Sequence, residues 1–171
     1  MAHKGLDAPQ RVLEFLSLLP QRIVTLHGVD NIAEFLLYDI CHHDNFALQK
    51  AAFFVDSPEF NCMKGVAGID CSNRFTGAHW ESPENFTEHM NACDFNKKVR
   101  THEGKSIHNS PYDPVKAKEL SKQLDFKKPQ YHSWSMKYGN RGFLVYEMSE
   151  TTDHHDHLLN SLHLLSLCPV F

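Results

Sequence analysis

Hydrophobic positions near the start of the chain recur at helical spacing. Val12, Phe15, Leu16 and Leu19 fall at i, i+3, i+4 and i+7, which predicts a helix over about residues 9–19 with Asp7 as its N-cap. Pro20 is expected to end it. A short apolar segment, 23–26, then leads to a turn at His27-Gly28. Asp30 caps a second predicted helix, in which Ile32, Phe35, Leu36 and Ile40 repeat on one side through about His43. The pattern then changes. Residues 51–55 are rich in Phe and Val, Asp56-Ser57-Pro58 reads as a turn, and 62–69 carries Gly65 and Gly68. These predict a hairpin whose second strand is loosened by its glycines.

Residues 70–81 read as a loop carrying the His79-Trp80 pair. Ser82-Pro83-Glu84 opens a helix, with Ser as cap and Pro at the first helical position. Phe86, His89, Met90, Cys93 and Val99 lie along one side of it. The polar stretch 101–112 is expected to be the least ordered part. Asp113-Pro114 opens another helix, to about Leu124. Segments 131–136 and 142–148 flank Tyr138-Gly139-Asn140-Arg141, a second β-hairpin. A last helix begins near Thr152 or Asp153 and runs to about Leu167. About five helices and four strands without βαβ alternation define an α+β class, with helices covering one face of a small, mainly antiparallel sheet.

A length of 171 residues makes one domain, 1–171, the expectation. The hydrophobic share of 42% and charged share of 22% exclude a disordered tail, a collagen-like repeat and a bare coiled coil. No run of about 18 apolar residues is present, so no membrane partner is expected. Residues 12–19 lack the small-residue cleavage site of a signal peptide, and a cytoplasmic location follows as the expectation. The 5 cysteines are odd in number and never C-x-x-C, which fits neither a disulfide framework nor a zinc ribbon. A net charge of −4 argues against nucleic acid as partner. Lys97, Lys98, Arg100 and the lysines of 105–128 are interleaved with Glu103, Glu119 and Asp125, and read as a solvated face. There is no G-x-S-x-G, Walker A or G-x-G-x-x-G motif.

Histidine changes the picture. The chain has 13, against 17 Lys and Arg, so its charge reverses sign on mild acidification, the property of a pH-responsive switch. Two groups are not absorbed by local structure. Asp39 and His43 are i, i+4 within the apolar stripe of the second helix, where a carboxylate and an imidazole need partners. They can pair with each other near the helix C-terminus, or both face a metal. Asp153, His154, His155 and His157 open the last helix, where the dipole disfavours protonated imidazole and so favours the metal-binding form. Asp39, His43, Asp153 and His157, with His155 and His154 as substitutes, are the expected ligands of one zinc or iron ion. The corresponding function is a metal-binding protein: a metal-assisted hydrolase, or a non-haem iron oxidase. The competing expectation is a non-enzymatic interaction domain that docks a partner, or a second copy, through its apolar segment 164–171. His89 and Cys93, His79-Trp80 and His132 rank below these as satisfied core or loop residues.

Overall fold

The computed structural model describes residues 7–26, 30–108 and 113–168. In chain order the elements are α1 (Ala8–Thr25), α2 (Ile32–Cys41), β1 (Leu48–Ser57), β2 (Cys62–Asp70), α3 (Pro83–Ala92), α4 (Asp94–Arg100), β3 (Glu103–Gly104), α5 (Pro114–Gln123), β4 (Gln130–Ser135), β5 (Arg141–Met148) and α6 (His155–Leu162). The five strands form one antiparallel sheet in the order β3-β2-β1-β5-β4. The class is α+β, and both expected hairpins, β1–β2 and β4–β5, are present. The turn at His27-Gly28 lies outside the described residues.

Helices cover both faces of the sheet rather than one. Ala51, Phe53 and Val55 of β1 join a core made with α1, α2, α3 and α6, whereas Ala52 and Phe54 join a second core containing Val99, Ala117 and Leu120. β1 is central and buried on both sides, which is why its apolar run shows no alternation with polar residues.

The expected single helix from Ser82 is two helices. The backbone turns extended at Cys93 (φ −70°, ψ 116°), so Phe86 and Met90 of α3 enter the first core while Val99 of α4 enters the second. Asn96 fills this crossing of the sheet edge. Its Oδ1 accepts from Gly68 N at 2.9 Å, and its Nδ2 donates to Glu34 Oε1 and Met90 O, each at 3.0 Å. β3 reaches only Met63 and Lys64 of β2, so Asn96 supplies the acceptor that the Gly68 amide would otherwise lack. Glu34, 1% exposed, is also held by Arg100 Nη1 at 3.0 Å and Asn31 Nδ2 at 2.9 Å.

Pro20 does not end α1, which continues to Thr25. A helix-interior proline costs about 3 kcal/mol. Ile23 and Leu26 continue the Val12–Leu19 stripe into the first core, and a fully buried aliphatic side chain contributes about 1.5–3 kcal/mol. Pro20 itself faces solvent.

Candidate functional site

The residues singled out in the sequence are placed by five separate sets of contacts. Asp39 is buried on α2. Its Oδ2 accepts from Arg22 Nη1 at 3.0 Å and from Trp80 Nε1 at 2.5 Å. His79 Nε2 lies 2.7 Å from Oδ1, off the direction of an aligned hydrogen bond. The carboxylate therefore ties the loop after β2 to α1 and α2. His43 is not one turn along the helix from Asp39, because α2 ends at Cys41 and His43 is extended (φ −75°, ψ 118°). Its ring lies between Phe15 and Phe46, at 4.4 and 4.9 Å, and its Nδ1 accepts from Asn45 N at 3.3 Å.

Asp153 and His154 likewise precede the last helix instead of opening it. Thr152 Oγ1 donates to Asn45 O at 2.6 Å and accepts from His154 N at 3.2 Å, which fixes this entry. His155 Nε2 is 2.9 Å from the Tyr146 hydroxyl. The rings of His154 and His157 are 6.1 Å apart. The end of α2 and the start of α6 are thus neighbours, joined through Thr152 and Asn45. Asp39 and His155, however, are turned to other partners. Among the described residues, no group of three or more His, Cys, Asp and Glu side chains is arranged to hold a metal ion.

The apolar C-terminal segment belongs to the fold as far as it is described. Leu162, Leu165 and Cys168 are in the first core, and Trp134 Nε1 donates to Ser166 Oγ at 2.8 Å. Burial pushes the Cys168 thiol up to about 12. Residues 169–171 lie outside the described residues. Also among those described, no helix is long and apolar enough to cross a membrane.

A different constellation forms where the two hairpins turn. Ser57 Oγ donates to Asn140 Oδ1 at 2.7 Å and couples the turns. In the ladder, Asp56 is opposite Arg141, which in turn is opposite Ser135. Asp56 is fully buried. Its Oδ2 accepts from the backbone amides of Ile107 and His108, each at 3.1 Å, and from His108 Nδ1 at 2.5 Å. An ionised carboxylate only accepts, so Nδ1 carries the proton of this hydrogen bond. Burial pulls the Asp56 carboxyl upward, but His108 and Ser106 beside it, with the Ile107 amide, outweigh burial and hold it below its ordinary value.

His108 lines a cleft of about 470 Å³ together with Tyr131, His132, Ser133, Arg141 and Phe143, and Asp56 lies buried behind it. Arg141 Nη2 reaches Ser133 Oγ only at 3.4 Å, and its Nε is buried with no aligned acceptor among the described residues. Phe143 and Tyr131 stack with ring centres 6.1 Å apart. At the hairpin tips, Phe60 is 78% and Tyr138 91% exposed. Tyr138 adopts a left-handed backbone (φ 60°), a conformation that costs free energy for a residue with a Cβ.

None of these residues stood out in the sequence. His108 lies in the stretch expected to be least ordered, yet Asp56 pins its backbone. A usable signal was present in β1: Asp56 continues the face of Ala52 and Phe54, which places a carboxylate inside the second core's side of the sheet. Compared with protein-family models, with curated proteins and with solved structures, the chain matches none.

The histidines also set a pH response. Burial lowers the pKa of His42, His43, His102 and His132, because imidazolium loses more hydration than the neutral ring. The unfolded chain takes up these protons near pH 6.5, about the free imidazole value. The folded chain does so only at lower pH. Stability is therefore full above about pH 6.5 and declines as the pH falls, with Asp56 adding to the loss below about pH 4. Urea midpoints are expected to be lower at about pH 5.5 than at about pH 7.5. A higher midpoint at the acid pH would contradict this assignment.

Proposed function

We propose that this protein is an acid–base hydrolase for a small ester bearing a carboxylate or phosphate group, bound in the cleft between the hairpin ends. The supporting observation is that His108, held from behind by the buried Asp56, lines one cleft with Arg141. Asp56 fixes the His108 tautomer and favours the imidazolium when it forms. Nε2 is then the atom that takes a proton from water as the hydroxide attacks, and returns it to the leaving alkoxide. Arg141 presents a forked cation to the anionic group, as guanidinium does for carboxylate and phosphate. The hydroxyls of Ser133 and Tyr131 add polar contacts, and Phe143 gives the cleft an apolar surface.

The test is a panel of chromogenic carboxylate and phosphate esters assayed with wild-type protein, His108→Gln and Arg141→Gln. His108→Gln is expected to lower kcat by about 100-fold or more, the range of a lost general base. Arg141→Gln is expected to raise KM for anionic esters and to leave neutral esters unaffected. Turnover that is unchanged in His108→Gln would overturn the reading. The zinc or iron site expected at Asp39, His43, Asp153, His154, His155 and His157 is supported by no comparable arrangement. Elemental analysis of untagged protein is its test.

A further inference from the structure

Cys41 closes α2 and Cys71 follows β2, and the fold brings the two residues together. The Cys71 amide donates to Gln49 O at 2.9 Å, which fixes its backbone beside β1. Its thiol donates to the backbone carbonyl of Cys41 at 3.5 Å, which places the Cys71 sulfur against Cys41. Cys41 is buried, whereas Cys71 is partly exposed. A small cleft of about 140 Å³ is lined by both cysteines with His42 and Arg74, and shares no lining residue with the Asp56–His108 site. His42 Nδ1–H donates to Tyr38 O at 2.9 Å, and its Nε2 is buried with no aligned partner among the described residues.

We propose that Cys41 and Cys71 are a redox-active dithiol that a hydroperoxide converts to a disulfide, with Cys71 as the reacting thiol and Cys41 as the resolving one. Exposure decides the order, because Cys71 is partly exposed whereas Cys41 is buried. Its thiolate attacks one peroxide oxygen, the O–O bond breaks, and the departing alkoxide or hydroxide takes up a proton to leave as alcohol or water. Cys71 is left as a sulfenic acid. The Cys41 sulfur then attacks the Cys71 sulfur, the S–S bond forms, the S–O bond breaks, and hydroxide leaves as water with the Cys41 proton. Two thiols have lost two electrons and the peroxide has gained them. The second step is intramolecular between residues that line one cleft and are already hydrogen-bonded through the Cys41 carbonyl, so it outpaces further oxidation of Cys71.

The experiment treats the native full chain with stoichiometric hydrogen peroxide, alkylates the remaining thiols, and maps peptides without reduction. The expected result is a Cys41–Cys71 cross-linked peptide that dithiothreitol reverses. It should form at least about tenfold faster than any oxidation of the exposed Cys62. In Cys41→Ala, Cys71 is expected to stop at a sulfenic acid that dimedone traps. Should that variant not fold, the wild-type map decides alone. Cys71 passing to sulfinic acid with no cross-link would overturn the proposal, as would a cross-link that forms only in urea.

Discussion

Replacing Gly65 by alanine is expected to destabilise the protein by about 3 kcal/mol or more, a large fraction of the 5–15 kcal/mol typical of a folded domain. A Cβ at Gly65 would lie 1.8 Å from Val99 O and 2.7 Å from its carbonyl carbon. No rotamer change relieves a clash with backbone, so α4 must lift from β2. Asn96 moves with it, withdrawing its carbonyl from the Gly68 amide and its amide from Glu34. Gly68→Ala is a useful contrast, because its Cβ meets the Val99 side chain, with Cγ2 at 2.6 Å. Adding Val99→Ala should therefore relieve Gly68→Ala and leave Gly65→Ala as unstable as before. Urea denaturation of the four variants checks this, and relief of Gly65→Ala by Val99→Ala would refute the backbone explanation.

Asp39→Ala should cost about 3 kcal/mol, the usual penalty for breaking one side of a buried charge cluster. The loss falls mainly on Trp80, which is left without its acceptor, and on His79, whose ring loses the carboxylate 2.7 Å from its Nε2. Arg22 contributes less, since its side chain is 38% exposed and water replaces the carboxylate. The loop after β2 is then released from α2. Trp80 emission should shift to the red, and the chain should be cleaved faster by trypsin at Arg74. Trp134, which lies in β4 and is held by Ser166 after α6, should keep its environment. A variant with wild-type stability and an unshifted spectrum would show that the carboxylate does not hold the loop.

Asp39 and His43 illustrate how far periodicity reaches. Helical spacing correctly placed Asp39 inside the apolar stripe and implied that it needs partners. It assigned the wrong partner, because His43 lies beyond the last hydrogen-bonded turn of α2 and leaves the helix direction. The actual donors come from α1 and from the loop before α3, at sequence separations that no local pattern encodes. The start of α6 failed for a related reason. Thr152 bonds to Asn45, and this contact delays the helix by two residues, separating Asp153 from His157. Cys93 was read as one more position on a continuous helical face, although the chain breaks there to pass around the sheet edge.

The Asp56–His108 site was less legible. Each partner is ordinary in its own segment: an aspartate before Ser-Pro, and a histidine in a polar stretch. Only the alternation of β1, carried past Val55, marks Asp56 as inward-facing. Its hydrogen-bond acceptor capacity then organises the segment 106–108.

By itself the sequence determined the elements whose hydrophobic periods are strong: both hairpins, most of each helix, the caps at Asp7 and Asp113, and the α+β class. Those depend on local sterics, backbone hydrogen bonds and a single buried face, which neighbouring residues encode. Tertiary structure alone decided that helices cover both faces, that the carboxylates Glu34, Asp39 and Asp56 each have partners from other elements, and that Cys41 meets Cys71. The reason is desolvation. A buried polar group must be satisfied by whatever donor or acceptor the folded chain brings to it, however distant in sequence.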